Sequence, residues 1–157
     1  MQTAYFQSPL GNIKIKGDGN GVTSISILDT KEEISAPVPE VLQHAVNELQ
    51  DYFKLKRNHF TFKIQPKGTE FQLKVWQELT QIPFGKTISY LELSKKLGDP
   101  KAIRAVASAN GKNPLWIVIP CHRVIGTDGS LTGYAGGLWR KKWLLEHENP
   151  SNQQLLF

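Results

Sequence analysis

One cysteine, Cys121, stands in 157 residues, which excludes an internal disulfide and a cysteine-based structural zinc site, since both need several sulfurs. Histidine is also scarce, and His44, His59, His122 and His147 contain no pair with metal-ligand spacing, so no metal is predicted. No run of about 18 apolar residues is present to cross a membrane. The opening MQTAYFQSPLGN lacks the basic and apolar blocks of an export signal. These absences predict a soluble, cytoplasmic protein with no membrane partner. Internal repeats and low-complexity segments are missing as well, and nothing suggests a second interface, so a monomer is expected. With 39% hydrophobic and 21% charged residues, the chain can bury one sizeable core or two small ones, not a multidomain assembly. A lone thiol in such a chain matters through its reactivity or not at all.

Charge is unevenly spread. Nineteen Lys and Arg against fourteen Asp and Glu give a net +5, which makes a polyanionic partner possible without requiring one. Residues 1–67 hold eight basic and seven acidic residues, a net +1, whereas residues 68–157 hold eleven and seven, a net +4. All four tryptophans (Trp76, Trp116, Trp139, Trp143) and Cys121 lie in the second part, and function is expected there.

In the first part, AYFQS, NIKIKGDGNG and VTSISIL alternate with period two around turn signals and predict an antiparallel meander. The period then changes: Val41, Leu42, Ala45, Val46, Leu49, Tyr52 and Phe53 fall on one stripe of a helix from Pro39 to Lys54. His59 to Ile64 alternates again and reads as a further strand, and QPKGT marks a linker at Gln65–Thr69. The second part opens with a capping box at Thr69 and Gln72 and a helix of about ten residues through Phe71, Val75, Trp76 and Leu79, broken by Pro83 and Gly85. A second capping box, Ser89 with Glu92, starts a helix that Gly98 stops; Asp99 and Pro100 start the next, which runs to Gly111. An apolar strand-like run, Trp116–Pro120, follows. After it come a turn at Gly126–Ser130, a glycine-rich loop Gly133–Gly137, a last helix through Trp139, Trp143, Leu144 and His147, and a frayed tail.

Two helices joined through Gly98-Asp99 have helix-turn-helix geometry, which binds DNA in some proteins and merely packs a small bundle in others. The second of them carries Ala102, Ala105, Ala107, Ser108 and Ala109, so little side-chain bulk would keep it from a nucleic-acid groove. Arg104 is the long cation in its middle, able to reach a phosphate or enter the base stack, or simply to sit in solvent. The sharper feature is Ile117-Val118-Ile119-Pro120-Cys121-His122-Arg123-Val124. A thiol with a pKa of about 8.5 needs a base or a positive field to become a nucleophile at neutral pH. His122 can supply one, but neighbours in an extended segment point to opposite sides, so a turn or a bridging water is required. A buried, inert thiol is the competing reading.

Pro120-Cys121-His122-Arg123-Val124, with Asn113-Pro114 before it and Gly133-Tyr134-Ala135-Gly136-Gly137-Leu138 after it, resembles the signature of the methylated-DNA–protein-cysteine methyltransferases, which repair O6-alkylguanine. The likeness runs through about residues 69–150 and takes in Phe84-Gly85, Ile88-Ser89-Tyr90, Lys101 to Val106 and Trp143-Leu144-Leu145. It implies an α+β fold. Residues 1–66 would form a small ribonuclease-H-like sheet-and-helix domain, 67–150 a mainly helical, winged-helix-like alkyltransferase domain with a helix-turn-helix, and 151–157 a tail.

The resemblance also implies roles. Cys121 would accept the alkyl group, His122 would act as base through a water, Glu148 would orient His122, Asn113 would brace the active-site turn, and Tyr90 would donate to N3 of the departing guanine. Arg104 would be the finger that fills the duplex after the nucleotide is flipped out, with Lys101, Ala105, Ala107, Ser108 and Arg123 as further DNA contacts in the minor groove. The pocket would be lined by Val124, Tyr134, Ala135, Trp116 and Asn110, with the Val124 carbonyl and the Ala135 amide reading the base. Trp116 replaces a smaller residue of some relatives, and Lys112 stands where a glycine often precedes the Asn-Pro pair. A thioether has no good leaving group, so each molecule would act once, without a cofactor, on double-stranded DNA containing O6-alkylguanine; O4-methylthymine is a further candidate substrate. Against this stand a non-catalytic lesion-binding or regulatory module and a Cys-His hydrolase that turns over.

Overall fold

The computed structural model describes residues 1–30, 34 and 36–151, and the predicted tail beyond Ser151 lies outside the described residues. The chain forms two compact units: Met1–Lys67 with Pro114–Val118, and Gly68–Asn113 with the chain from Ile119 on. The fold is α+β, with a small sheet in the first unit and mainly helix in the second.

In the first unit, β1 (Gln2–Ser8), β2 (Gly11–Asp18) and β3 (Gly21–Leu28) make the antiparallel meander read from the alternation, in the order β1-β2-β3. A β-bulge shifts the β2–β3 register between Lys16 and Gly17, pairing Lys16 with Ser24 but Gly17 with Val22. The extra residue reverses the parity of β3, so Val22 is buried together with Ile25 and Ile27. Helix α1 (Glu40–Phe53) lays Leu42, Ala45, Val46, Leu49 and Tyr52 against the sheet, while Val41, expected on that stripe, is exposed. Fully buried Ile13, Ile15, Ile25, Leu42 and Leu49 each contribute about 1.5–3 kcal/mol by leaving water.

Two expected strands do not form. His59–Ile64 meets β3 only at Val22, whose N–H donates to the Lys63 carbonyl (2.9 Å) and whose carbonyl accepts from Gln65 N–H (2.7 Å). The N–H of Thr61 goes instead to the Glu48 carboxylate at 2.7 Å, and Phe60 packs on Tyr52, so side chains of α1 replace a strand partner. The apolar run Trp116–Pro120 is likewise not extended. Leu115 pairs with Ile25 of β3, Trp116 N–H donates to the Ile25 carbonyl (3.1 Å), and the chain then reverses about Ile117, where Val118 N–H returns to the Trp116 carbonyl at 2.9 Å. Ile117 has φ +76°, a conformation costing a β-branched residue about 1–3 kcal/mol.

In the second unit, α2 (Glu70–Leu79) starts at the Thr69–Gln72 capping box and α3 (Tyr90–Lys96) at the Ser89–Glu92 box, both as the sequence predicts. Gly98, at φ +91°, ends the second helix. Asp99 caps the next with its carboxylate on Lys101 N–H (2.9 Å), but Pro100–Ala102 winds as a 3-10 turn before α4 (Ile103–Gly111) begins. A short parallel pair, β4 (Ile88–Ser89) and β5 (Val124–Ile125), and helix α5 (Leu138–Glu148) complete the unit. Trp76 Nε1–H donates to the Ala109 carbonyl at 2.9 Å and ties α2 to the end of α4.

Candidate active site

Tight turns present the thiol. Cys121 N–H donates to the Ile119 carbonyl (2.8 Å) around Pro120, at φ −81° and ψ 64°, and Cys121–Arg123 then winds as a 3-10 turn with Arg123 N–H on the Pro120 carbonyl (3.0 Å). This is the turn that the adjacent Cys121 and His122 require, in place of an extended segment. Asn113 Nδ2–H donates to the Ile119 carbonyl at 2.7 Å and braces the turn from the end of α4.

His122 is fully buried, and its Nε2 lies 2.7 Å from Glu148 Oε2. A carboxylate only accepts, so the ring proton sits on Nε2. Burial lowers the His122 pKa; Glu148 pulls it up, while Arg123 and Lys141 push it down, and the result lies below the ordinary value. At neutral pH the imidazole is therefore neutral, and its buried Nδ1, which has no hydrogen-bond partner, keeps a lone pair for a proton. Burial would raise the Glu148 carboxyl, but His122 and Arg123 outweigh it and hold it well below the usual carboxylate range. Cys121 is buried, and burial pushes its thiol up to about 11 against the opposing pull of Asn113 and Lys141. The resting sulfur is a thiol that needs a base.

Arg123 corrects a sequence expectation. As a DNA contact it would have to be exposed, yet it is 6% exposed, with Nε–H and an Nη2–H on the two oxygens of Glu148 (2.7 and 3.0 Å) and an Nη1–H on the Ile82 carbonyl (2.7 Å). Its guanidinium also lies over the Phe84 ring. Gly85, at φ +80°, lets the same loop approach the end of α5, where a Cβ would stand 3.2 Å from the Glu148 carbonyl oxygen and where Asn149 Nδ2–H donates to the Gly85 carbonyl at 3.2 Å. The Phe84-Gly85 pair thus supports Arg123 and Glu148.

Lys141 escaped the sequence reading. It is fully buried, its Nζ donates to the carbonyls of Thr132 (2.7 Å) and Gly133 (3.4 Å), and it stands 5.9 Å from the Tyr90 ring centre. Burial lowers its pKa to about 8, with Cys121 pulling the other way. The available signal was spacing: Lys141, Leu144, Leu145 and Glu148 fall at i, i+3, i+4 and i+7 on the buried face of α5. Arg140, also buried, donates to the Gly136 carbonyl at 3.0 Å, so α5 holds the glycine-rich loop at two places.

The second unit brings together Cys121, His122, Glu148, Asn113, Asn110 and Tyr90. Asn110 Nδ2 lies 3.4 Å from both the Tyr90 hydroxyl and the Cys121 carbonyl oxygen. Val124 is buried in β5, Tyr134 is half-buried and Ala135 exposed. Along α4 and its first turn, Lys101, Arg104, Ala105 and Ser108 are exposed and Ala107 half-buried, while Val106, Ala109 and Asn110 face inward. Trp116 is half-buried and its backbone is held in the first unit by Ile25. Among the described residues, no three His, Cys, Asp or Glu side chains are grouped to hold a metal ion, and no helix is long and apolar enough to cross a membrane.

A buried thiol with a His–Glu pair and a helix-turn-helix in one unit define a protein with a cysteine centre and a nucleic-acid-binding geometry. Residues 70–150 match the DNA-binding domain of the 6-O-methylguanine DNA methyltransferases and residues 1–66 their ribonuclease-like domain. A methylated-DNA–protein-cysteine methyltransferase of Methanosarcina acetivorans is 44% identical, with 94% of this chain and 98% of that protein covered. Among solved structures, the O6-methylguanine methyltransferase of Mycobacterium tuberculosis superposes with TM-score 0.85 at 41% identity, covering 95% of this chain and 93% of the other. A structure of Mycobacterium tuberculosis OGT in complex with DNA superposes with TM-score 0.87 at 40% identity, covering 96% and 94%. The chain belongs to the 6-O-methylguanine DNA methyltransferase family.

Proposed function

We propose that this protein repairs DNA by moving the alkyl group of O6-alkylguanine in a duplex onto Cys121, once per molecule and as a monomer. The observation that carries this reading is the fully buried His122 held at 2.7 Å by Glu148, directly after the chain's single cysteine. Glu148 keeps the Nε2 proton in place, so Nδ1 is the free base, and it takes the thiol proton through a water. The Cys121 thiolate then attacks the alkyl carbon in line; the S–C bond forms as the C–O6 bond breaks. The electron pair passes to the guanine, where Tyr90 O–H donates to N3. Lys141 supports the thiolate by its charge. The Val124 carbonyl takes a hydrogen bond from the exocyclic amine, and the Ala135 N–H gives one to O6. The product is a thioether with no good leaving group, so the sulfur is not regenerated.

An enclosed thiol cannot reach O6 inside a base pair, so the nucleotide must leave the stack. The exposed small residues Ala105 and Ser108, with Ala107, allow α4 close to the minor groove, where Arg104 fills the gap and Lys101 meets phosphate. The test is intact mass after incubation with excess duplex carrying one O6-methylguanine. A gain of one methylene per chain, mapped to Cys121 and absent in Cys121→Ser, is the expected result. No gain with lesion binding retained would place the protein among non-catalytic lesion binders, and release of product beyond one equivalent would point to a hydrolase.

A further inference from the structure

We propose that Asn110 is a positioning residue that fixes Tyr90 as a hydrogen-bond donor toward the departing base; the inference rests on the alkyl-transfer reading above. Asn110 is 4% exposed on the last turn of α4, whose end is anchored by Trp76 Nε1–H on the Ala109 carbonyl. Its amide sits between two oxygens, the Tyr90 hydroxyl and the Cys121 carbonyl, each 3.4 Å from Nδ2. A backbone carbonyl has no hydrogen to give, so the amide must turn its NH2 to that side; the reverse orientation would set Oδ1 against the carbonyl oxygen. The same NH2 therefore donates to Tyr90. With that lone pair engaged, the Tyr90 O–H is directed away from Asn110. Thr132, whose side chain also reaches the Tyr90 hydroxyl, can give or take a hydrogen bond by rotating and so imposes no direction. Only the amide, pinned by an obligate acceptor, sets the polarity of the Tyr90 hydroxyl.

The other end of the amide strengthens the inference. Asn110 Oδ1 is buried with no hydrogen-bond partner, which is unfavourable relative to an apolar side chain of the same shape. A residue serving packing alone would do better as leucine at this position.

The experiment compares single-turnover transfer from duplexes carrying O6-methylguanine or its 3-deaza analogue, which lacks the N3 acceptor, for wild type, Asn110→Leu and Tyr90→Phe. The expected result is a roughly tenfold slower transfer from O6-methylguanine by Asn110→Leu, the size of one lost hydrogen bond, and little change on the analogue. Tyr90→Phe should show the same substrate pattern, a substrate dependence that a purely structural role of Asn110 would not produce. Asn110→Ala, which adds no bulk, repeats the comparison should leucine fail to pack. Equal slowing on both substrates, or an unchanged rate on O6-methylguanine, overturns the inference. A wild type that repairs both substrates equally well removes the donor role of Tyr90 and the inference while leaving transfer to Cys121 intact. A wild type that transfers from neither overturns the functional reading, and the inference falls with it.

Discussion

Among the described residues, each unit contains one buried glutamate that accepts from a histidine and an arginine, and the two differ in what the histidine is free to do. In the first unit, Glu48 takes His44 Nε2 at 3.0 Å, Arg57 Nη1 at 3.1 Å, and both the N–H and hydroxyl of Thr61 at 2.7 and 2.5 Å. In the second, Glu148 takes His122 Nε2 at 2.7 Å and two N–H groups of Arg123. The His44 side chain is 62% exposed, whereas that of His122 is 0% exposed. In the first unit the carboxylate serves to tie the Thr61 segment to α1. The second imidazole is buried, kept neutral, and belongs to the residue directly after the buried thiol. The same three side-chain types make an anchor in one place and, in the proposed reaction, a proton relay in the other. Burial of the imidazole and the neighbouring sulfur decide which.

The largest effect is expected from Glu148→Gln. It leaves the buried Arg123 without its counter-charge and should cost about 3–5 kcal/mol, read by denaturant unfolding, together with loss of transfer. Stability equal to wild type would mean that Glu148 does not carry the ion pair. Next comes Lys141→Met, which removes the buried ammonium whose charge acts on Cys121. At pH 7 transfer should slow roughly tenfold, the cost of one charge-assisted contact. The pH profile should change too. In wild type the Lys141 charge is present below its pKa of about 8 and is lost as pH rises through it, so the gain in rate with pH should bend there. The methionine variant should show no bend, and a bend retained would assign it to another group. The smallest effects belong to the first unit. Glu48→Gln should cost about 1–3 kcal/mol through weakened hydrogen bonds, and His44→Ala at most about 1 kcal/mol, both with the transfer rate per folded molecule unchanged. A slowed rate in either would break the contrast between the two glutamates.

What was legible in the sequence was local. The capping boxes at Thr69–Gln72 and Ser89–Glu92, the stop at Gly98, the Asp99 cap and the meander of β1–β3 all arise within a few residues, and each is found where the pattern puts it. The wrong expectations arose where a distant group took over a backbone bond. Thr61 N–H is taken by Glu48, thirteen residues earlier, and Trp116 N–H by the carbonyl of Ile25, so neither the alternation of His59–Ile64 nor the apolar run Trp116–Pro120 becomes a strand.

By itself, the sequence determined the helices and the β1–β3 meander, the family signature around Cys121, and the residues His122, Glu148, Asn113 and Tyr90 that the second unit gathers near it. Only the tertiary structure decided which charges go inside. Arg123 became a buried partner of Glu148 because Ile82, forty-one residues away, offers a carbonyl to its third N–H. Lys141 became a buried cation whose charge acts on the thiol because α5 turns that face inward. The direction of the Asn110 amide follows from the Cys121 carbonyl beside it. Helix starts and turns depend on short-range backbone geometry, which a linear pattern records; proton affinity and hydrogen-bond polarity depend on desolvation and on partners from distant segments, which exist only once the chain has folded.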